Sequence, residues 1–264
     1  MRQRTTLTLL AASLLGTSPA VIAATCSANS GPQRATLIEL YTSEGCISCP
    51  PADRWLSGFS TAGQNRQGSQ IVPLTFHVDY WDYIGWPDRF ASPAFTARQQ
   101  ARRLATHGRF VYTPQTVINA RDANDWRQAG SPGQLPLAPP VAASAALTLT
   151  AEQTAAGRSE VHLAAQLLPN AGGAGKPAVA YLALYENNLS SDIGRGENAG
   201  KQLHHDYVVR KWVGPLAFDA EGKLDIRHRF TIGEVKASQA GIAAVVESSD
   251  GAQLHQALAL PLCP

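Results

Sequence analysis

The sequence predicts an α/β unit followed by an all-β, sandwich-like unit, with a short leader ahead of both. Three observations carry this. Residues 35–119 alternate between apolar strand patterns and helical patterns. Residues 128–143 are rich in Gly, Pro, Ala and Gln, as a linker is. Beyond Ala145 about seven short alternating stretches follow, separated by turn signals and lacking helical periodicity. The expected division is a leader at 1–24, an α/β unit at 25–130, a linker at 131–143 and a β-unit at 144–264.

The leader has a charged start, Arg2 and Arg4, then an apolar run from Leu7 to Leu15. The small residues Ala20 to Ala24 follow, with a cleavage site expected after Ala23 or Ala24. The run is too short and too broken to span a membrane, and no later segment reaches spanning length. The expectation is an exported chain, periplasmic or secreted, in an oxidising compartment.

In the first unit, Thr36–Tyr41 reads as a strand and Cys46–Phe59 as a helix entered through prolines. Ile71–Val78 reads as a second strand, parallel to the first because a helix crosses between them. An aromatic loop, Tyr80–Pro87, leads to Ser92-Pro93, an N-cap and first-turn proline opening a helix to about His107. Its expected apolar stripe is Ala94, Ala97, Ala101, Leu104 and Ala105. Arg98, Arg102 and Arg109 share another face, with Arg103 adjacent, and read as solvated. Val111–Ile118 reads as a third strand. In the second unit the strands are Ala145–Thr150, Glu160–Leu168, Val179–Tyr185, Tyr207–Trp212, Lys223–Phe230, Ile242–Glu247 and Leu254–Leu260. Asn187–Lys201 is a long loop, which marks function or mobility.

Charge excludes one class of function. Lys and Arg number 22 against 20 Asp and Glu, and setting aside Arg2 and Arg4 leaves 20 against 20. A nucleic-acid binder held by bulk charge is not expected. With 44% hydrophobic and 16% charged residues, the chain can build real cores.

The four cysteines are few enough to take singly. Cys46-Ile47-Ser48-Cys49 follows a strand and opens a helix. Two cysteines three apart reach disulfide distance, and a helix N-terminus favours the thiolate of the first. Cys46 is then the attacking sulfur and Cys49 the resolving one. The other readings are an inert staple or half of a metal site. Thr113-Pro114 opens the third strand. A cis bond accounts for a proline in a central strand, and thioredoxin-like folds place such a proline opposite a CxxC. That left Cys26 and Cys263, paired by elimination as a structural bridge between the chain ends.

Weaker features are Trp81, Tyr83 and Trp86, a rim beside the CxxC or loop packing; Asp79, a hydrogen-bonding group within the loop or a buried acid assisting proton transfer to Cys49; and His204-His205, which point to opposite strand faces and disfavour a joint metal site.

Four segments then identify a family by resemblance. Leu40–Asp53 (LYTSEGCISCPPAD), His77–Trp86 (HVDYWDYIGW), Phe90–Gln99 (FASPAFTARQ) and Val111–Gln115 (VYTPQ), with Arg195–Gly200 (RGENAG) later, resemble the signature of a bacterial and plant family of secreted proteins, the domain-of-unknown-function family numbered 1223. The resemblance implies a thioredoxin-like N-terminal domain with Cys46, Cys49 and Pro114 in the redox positions, and no known substrate. The sequence departs from thioredoxin in having Gly45 before the first Cys and Glu44 beside it, a carboxylate that opposes thiolate formation.

The expected function is thiol–disulfide exchange with a protein or small thiol/disulfide substrate, without a cofactor, nucleic acid or membrane span. The alternatives are a Cu(I) carrier using Cys46, Cys49 and His77, and a binding module in which the CxxC is only a staple.

Overall fold

The computed structural model describes residues 25–59, 65–66, 69–123, 125–127, 130–131, 134–135, 139–154, 158–169 and 176–263. The leader at 1–24 and parts of the 131–143 linker lie outside them. The chain runs through β1 (Thr25–Asn29), β2 (Thr36–Thr42), α1 (Pro50–Ser57), β3 (Asn65–Arg66), β4 (Ser69–His77), α2 (Pro93–Ala105), β5 (Gln115–Ile118) and β6 (Arg121–Asp122). It continues as β7 (Ala145–Thr154), β8 (Arg158–Leu167), β9 (Ala178–Glu186), β10 (Leu189–Asp192), β11 (Gln202–His205), β12 (Val208–Ala217), β13 (Lys223–Thr231), β14 (Ala240–Ser248) and β15 (Leu254–Pro261).

Local chemistry explains the helices. Ser92 caps α2 by accepting from the Ala94 N–H, and Pro93 fills the first turn, where its missing N–H costs nothing. Prolines also start α1, but its N-cap is Cys49. The CxxC therefore forms the turn before the helix rather than its first turn, because Pro50 and Pro51 fix where the helix can begin.

The sheets overturn the expected fold class. Strands from both halves lie in one nine-stranded sheet, ordered β15-β14-β9-β12-β4-β2-β5-β6, with β3 on β4. The halves join where β12 runs parallel to β4, Val208 opposite Thr75. There the Thr75 N–H donates to the Tyr207 carbonyl (2.8 Å) and the Thr75 hydroxyl to the Asp206 carbonyl (2.9 Å). A second sheet, β1-β7-β8-β13, is wholly antiparallel, and β10-β11 form a separate hairpin. The described residues hold fifteen strands and two α-helices. This is a predominantly β protein, not an α/β thioredoxin-like fold plus a β-sandwich.

The reason lies in the burial of the later strands. On β9, Leu182 and Leu184 alternate with Ala183 and Tyr185; on β14, Ile242, Ala244 and Val246 alternate with Ala243 and Val245. The first set of each packs with Leu147, Leu149, Val161 and Leu163 of the four-stranded sheet. The second set joins the core of the first half, with Leu40, Phe76 and Phe95. Both faces of β9 and β14 are thus covered, whereas a two-layer sandwich covers one. Close packing also dictates Gly241, which pairs with Tyr185; a Cβ at 241 would collide with the tyrosine ring.

Helix α2 reverses the expected orientation. Its buried residues are Phe95, Arg98, Gln99 and Arg102, while Leu104 is 63% exposed. Arg98 Nε donates to Glu39 Oε1 of β2 (2.7 Å), and Arg102 Nε to Glu39 Oε2 (2.8 Å). Both guanidinium groups also pair with Glu247 of β14. Of the arginines expected in solvent, Arg98 and Arg102 are buried, because two strands supply carboxylates under them, whereas Arg109, beyond the end of the helix, is exposed.

Candidate functional site

The chain leaves β2 at Thr42 and turns through Ser43-Glu44-Gly45 into the CxxC. The Cys46 N–H donates to the Ser43 carbonyl (3.1 Å) and the Cys49 N–H to the Cys46 carbonyl (3.1 Å). Cys46 and Cys49 are bonded to each other across this turn, their Cα atoms 5.4 Å apart. Both are buried, while Ile47 between them is 56% exposed. Pro50 and Pro51 carry no N–H, and those of Ala52 and Asp53 are taken by the Cys49 carbonyl. These helix N–H groups are therefore occupied rather than presented to a sulfur.

The second half of the chain clasps this turn. The segment read as a long loop is the β10–β11 hairpin, whose connection carries Glu197 and Asn198. Asn198 Nδ2 donates to the carbonyls of Glu44 (2.8 Å) and Cys46 (3.1 Å), and the Ile47 N–H donates to Glu197 Oε2 (3.1 Å). Lys201 Nζ donates to Asn198 Oδ1 (2.9 Å) and orients the amide. Gly196, at φ +76°, lets this connection turn against Ile84 and Trp86.

The aromatic loop braces the turn from the other side. Trp86 Nε1 donates to Glu44 Oε2 (2.8 Å) and Trp81 Nε1 to Thr113 Oγ1 (2.7 Å). Tyr83 is 82% exposed. Two of the three residues read as a rim are thus loop anchors. The Thr113–Pro114 peptide is cis. Tyr41 of β2 pairs with Gln115 of β5, the last pair of that ladder, so Pro114 lies just beyond it, at the sheet end from which the CxxC departs.

Beside the turn lies a buried cluster of acids and imidazoles: Glu44, Asp53 of α1, His77 at the end of β4, Asp88 and His205 of β11. His77 Nδ1 donates to Asp88 Oδ2 (2.6 Å), which also accepts from the Glu44 N–H (2.9 Å). His205 Nε2 lies 3.3 Å from Glu44 Oε1, and its Nδ1 lies 3.8 Å from Asp53 Oδ2. The two imidazoles meet edge to face, 4.9 Å between centroids. Glu44 Oε1, Asp53 Oδ1, His77 Nε2 and both His205 nitrogens lack a hydrogen bond of good geometry among the described residues, although Glu44 Oε1 and His205 Nε2 face each other as an ion pair.

Burial and neighbouring charges compete at each of these groups. Burial pushes the His77 imidazole down, but the Asp88 charge and hydrogen bond, with Asp53 and Glu44 behind them, hold it above its ordinary value. Burial pushes Asp88 up, and His77 with two backbone N–H groups brings it below. Burial likewise raises Glu44, and His205, Ser191 and Trp86 together bring it below. At Asp53 burial prevails, and the carboxyl sits above its ordinary range despite His205 and His77.

A family described as "Protein of unknown function (DUF1223)" matches residues 37–247, well over half of the chain. The chain belongs to this DUF1223 family. The crystal structure of protein AGR_C_4864 from Agrobacterium tumefaciens is similar over 85% of this chain and 93% of that one, at 24% identity and TM-score 0.57. HBP35 of Porphyromonas gingivalis is similar over 88% of this chain and 76% of that one, at 14% identity and TM-score 0.62. Both likenesses concern the fold alone. None of the curated proteins matches.

Within this DUF1223 chain the residues singled out from sequence fall in two places. Cys46, Cys49 and Pro114 share one end of the large sheet. Cys26 and Cys263 are bonded to each other, Cα atoms 5.8 Å apart, where β1 meets the end of the chain after β15. His77 sits in the acid–imidazole cluster. Among the described residues no three His, Cys, Asp or Glu side chains are arranged to hold a metal ion, so the Cys46, Cys49, His77 set is not assembled as one. Asp79 accepts a hydrogen bond from Thr96 Oγ1. His204 is exposed and His205 buried, as neighbours on a strand must be.

Sequence reading missed Asp53, Asp88, His205, Glu197 and Asn198 as parts of this site. One signal was present: Asp53 lies one turn after Cys49, and its backbone N–H donates to the Cys49 carbonyl (3.2 Å). Among the described residues no helix is long and apolar enough to cross a membrane.

Proposed function

We propose that the Cys46–Cys49 pair of this DUF1223 protein exchanges disulfides with a protein or small thiol/disulfide partner in an oxidising, extracytoplasmic compartment. The observation that carries this reading is a disulfide in the turn before α1, beside a buried acid–imidazole cluster. Two disulfides in one chain suit export.

A partner thiolate attacks Cys46 Sγ, the Cys46–Cys49 bond breaks, and Cys49 leaves as a thiolate that takes up a proton. A second partner thiolate then attacks the partner sulfur of the mixed disulfide. The partner disulfide departs, and Cys46 becomes a thiol. Run backwards, the same steps oxidise a partner dithiol. Thr113 and Pro114 line the approach and align an extended partner. Cys46 is only 1% exposed, so a partner sulfur reaches it when the Gly45–Ser48 turn shifts against Glu197 and Asn198.

Replacing Cys49 with Ala removes the resolving sulfur. Incubated folded with glutathione disulfide, the C49A chain is expected to keep one glutathione on Cys46, seen by intact mass and peptide mapping. Absence of that adduct in the folded variant, with the adduct forming once the variant is unfolded in urea, overturns the reading.

A further inference from the structure

Exchange needs access, and the turn that carries the sulfurs denies it. Cys46 and Cys49 are buried, while Ile47 and Ser48 between them face solvent. The turn itself covers the attacked atom: Ser48 Oγ lies 3.4 Å from Cys46 Sγ. A partner sulfur reaches Cys46 only when this backbone moves, so whatever holds the backbone governs the reaction.

The hydrogen bonds of the turn fall into two sets. One comes from the first half of the chain. The Glu44 N–H donates to Asp88 Oδ2 (2.9 Å), the Gly45 N–H to Ser43 Oγ (3.1 Å) and the Cys46 N–H to the Ser43 carbonyl (3.1 Å). The other comes wholly from the β10–β11 connection and brackets Cys46. Asn198 Nδ2 donates to the Glu44 and Cys46 carbonyls, and Glu197 Oε2 accepts from the Ile47 N–H. Asn198 has no solvent exposure; both its amide protons serve the turn, and its Oδ1 accepts from Lys201 Nζ. The connection is tied to itself as well. The Gly200 N–H donates to the Ile193 carbonyl (2.7 Å), the Ile193 N–H to the Lys201 carbonyl (2.9 Å) and the Lys201 N–H to the Asn198 carbonyl (3.1 Å). Gly196 and Gly200, at φ +76° and +78°, allow this compact path. The connection is therefore a preformed clamp with its own hydrogen bonds, not a loop moulded to the turn.

Resting on the exchange reading above, we propose that Asn198 and Glu197 are positioning residues that hold the CxxC turn closed over Cys46, and that their release is the step that admits a partner sulfur. With the three bonds open, the Ile47–Ser48 backbone swings away. The partner thiolate attacks Cys46 Sγ, the Cys46–Cys49 bond breaks, and Cys49 leaves as a thiolate that takes a proton from solvent. The rate of reduction is the rate of attack on the open turn multiplied by the fraction open. Weakening the clamp by a given factor then speeds reduction by that factor. The residue types carry the argument. Aspartate at 198 keeps the size of the side chain but sets a carboxylate against two carbonyl oxygens. Glutamine at 197 keeps an oxygen for the Ile47 N–H, whereas alanine removes it.

The test pairs two measurements on the full oxidised chain: hydrogen exchange at the Ile47 amide, which reports opening of the clamp, and the rate at which dithiothreitol reduces Cys46–Cys49. Glu197→Ala, at an exposed position, is expected to lose Ile47 protection and to be reduced about tenfold faster. Glu197→Gln should stay near the wild-type rate, and Asn198→Asp should give the largest acceleration. Across the variants the rate should rise in proportion as Ile47 protection falls. Cys26–Cys263 should stay bonded throughout, which separates release of the clamp from unfolding. An Ile47 amide that exchanges at the unprotected rate in the folded wild type overturns the proposal. So does an E197A chain that keeps the protection, or one that loses it and is still reduced at the wild-type rate. If dithiothreitol opens the pair in neither the folded wild type nor any folded variant, the exchange reading itself falls and takes this inference with it.

Discussion

Folding stability is expected to drop by about 3–5 kcal/mol when Arg98 is replaced by Met, the cost of breaking a buried ion network by removing one partner. Arg98 joins three elements. Its Nε donates to Glu39 Oε1 on β2 (2.7 Å), and its two terminal nitrogens each donate to a Glu247 oxygen on β14 (3.3 Å). The guanidinium also lies 4.2 Å from the Trp212 ring centre, on the strand that joins the halves. Methionine fills much of the volume, so packing loss is small and the two carboxylates are left with Arg102 alone. Urea denaturation measures the drop, which corresponds to a melting temperature lower by about 10 °C. A loss under about 1 kcal/mol, the size of a surface pair, would show that solvent already screens the network.

The same network gives a pH dependence of defined sign. Burial pushes Glu247 up, but Arg98 and Arg102 bring it below its ordinary range. A carboxyl depressed in the folded state adds stability that is fully present above its unfolded pKa. That stability fades as pH falls through the depressed value. Acid should therefore weaken the wild type, and R98M should show less of this loss.

Removing the bridge between the chain ends is the other large effect. Cys26 and Cys263 close a loop with a sequence separation of 237, for which the chain-entropy model gives roughly 5 kcal/mol. The bridge has local support. Cys26 lies on β1 opposite Ala151 of β7, and the Cys263 N–H donates to Cys26 Sγ (2.9 Å). Because β1 is an edge strand, its place depends on this tie as well as on β7. The double variant Cys26→Ser/Cys263→Ser is expected to unfold at lower urea than the wild type, by about 3–5 kcal/mol. Equal midpoints for the two chains would mean that the bridge closes a loop already ordered in the unfolded ensemble.

What the sequence revealed depended on range. Signals carried by adjacent residues were legible: Ser92-Pro93 starts α2, the CxxC follows a strand, and His204 and His205 face opposite ways. Signals needing a distant partner were not. Small apolar residues point to one face of α2, but Arg98 and Arg102 turn inward because Glu39 and Glu247, distant in sequence, lie beneath them. Glu39, a carboxylate inside an otherwise apolar strand, was the visible hint. The merged sheet was hidden for a similar reason. Alternation tells which face of a strand is buried, not which strand lies beside it. The unbroken apolar run of β14, Gly241 to Val246, did record burial on both faces. At the site, Cys46 and Cys49 announced themselves by spacing, whereas His205 and Asn198 arrive from a hairpin about 150 residues away.

Equilibrating the folded chain with mixtures of reduced and oxidised dithiothreitol, then alkylating and mapping the four cysteines, tests most directly whether Cys46–Cys49 is a working pair. Solvent exposure alone favours opening Cys26–Cys263 first, since both of its cysteines are partly exposed and Cys46 and Cys49 are buried. An exchange site requires the reverse order: Cys46 and Cys49 label together, reversibly, while Cys26 and Cys263 stay bonded and the fold stays intact. Labelling of Cys46 and Cys49 only after Cys26 and Cys263, or only on unfolding, would make the CxxC a staple and contradict the proposed function.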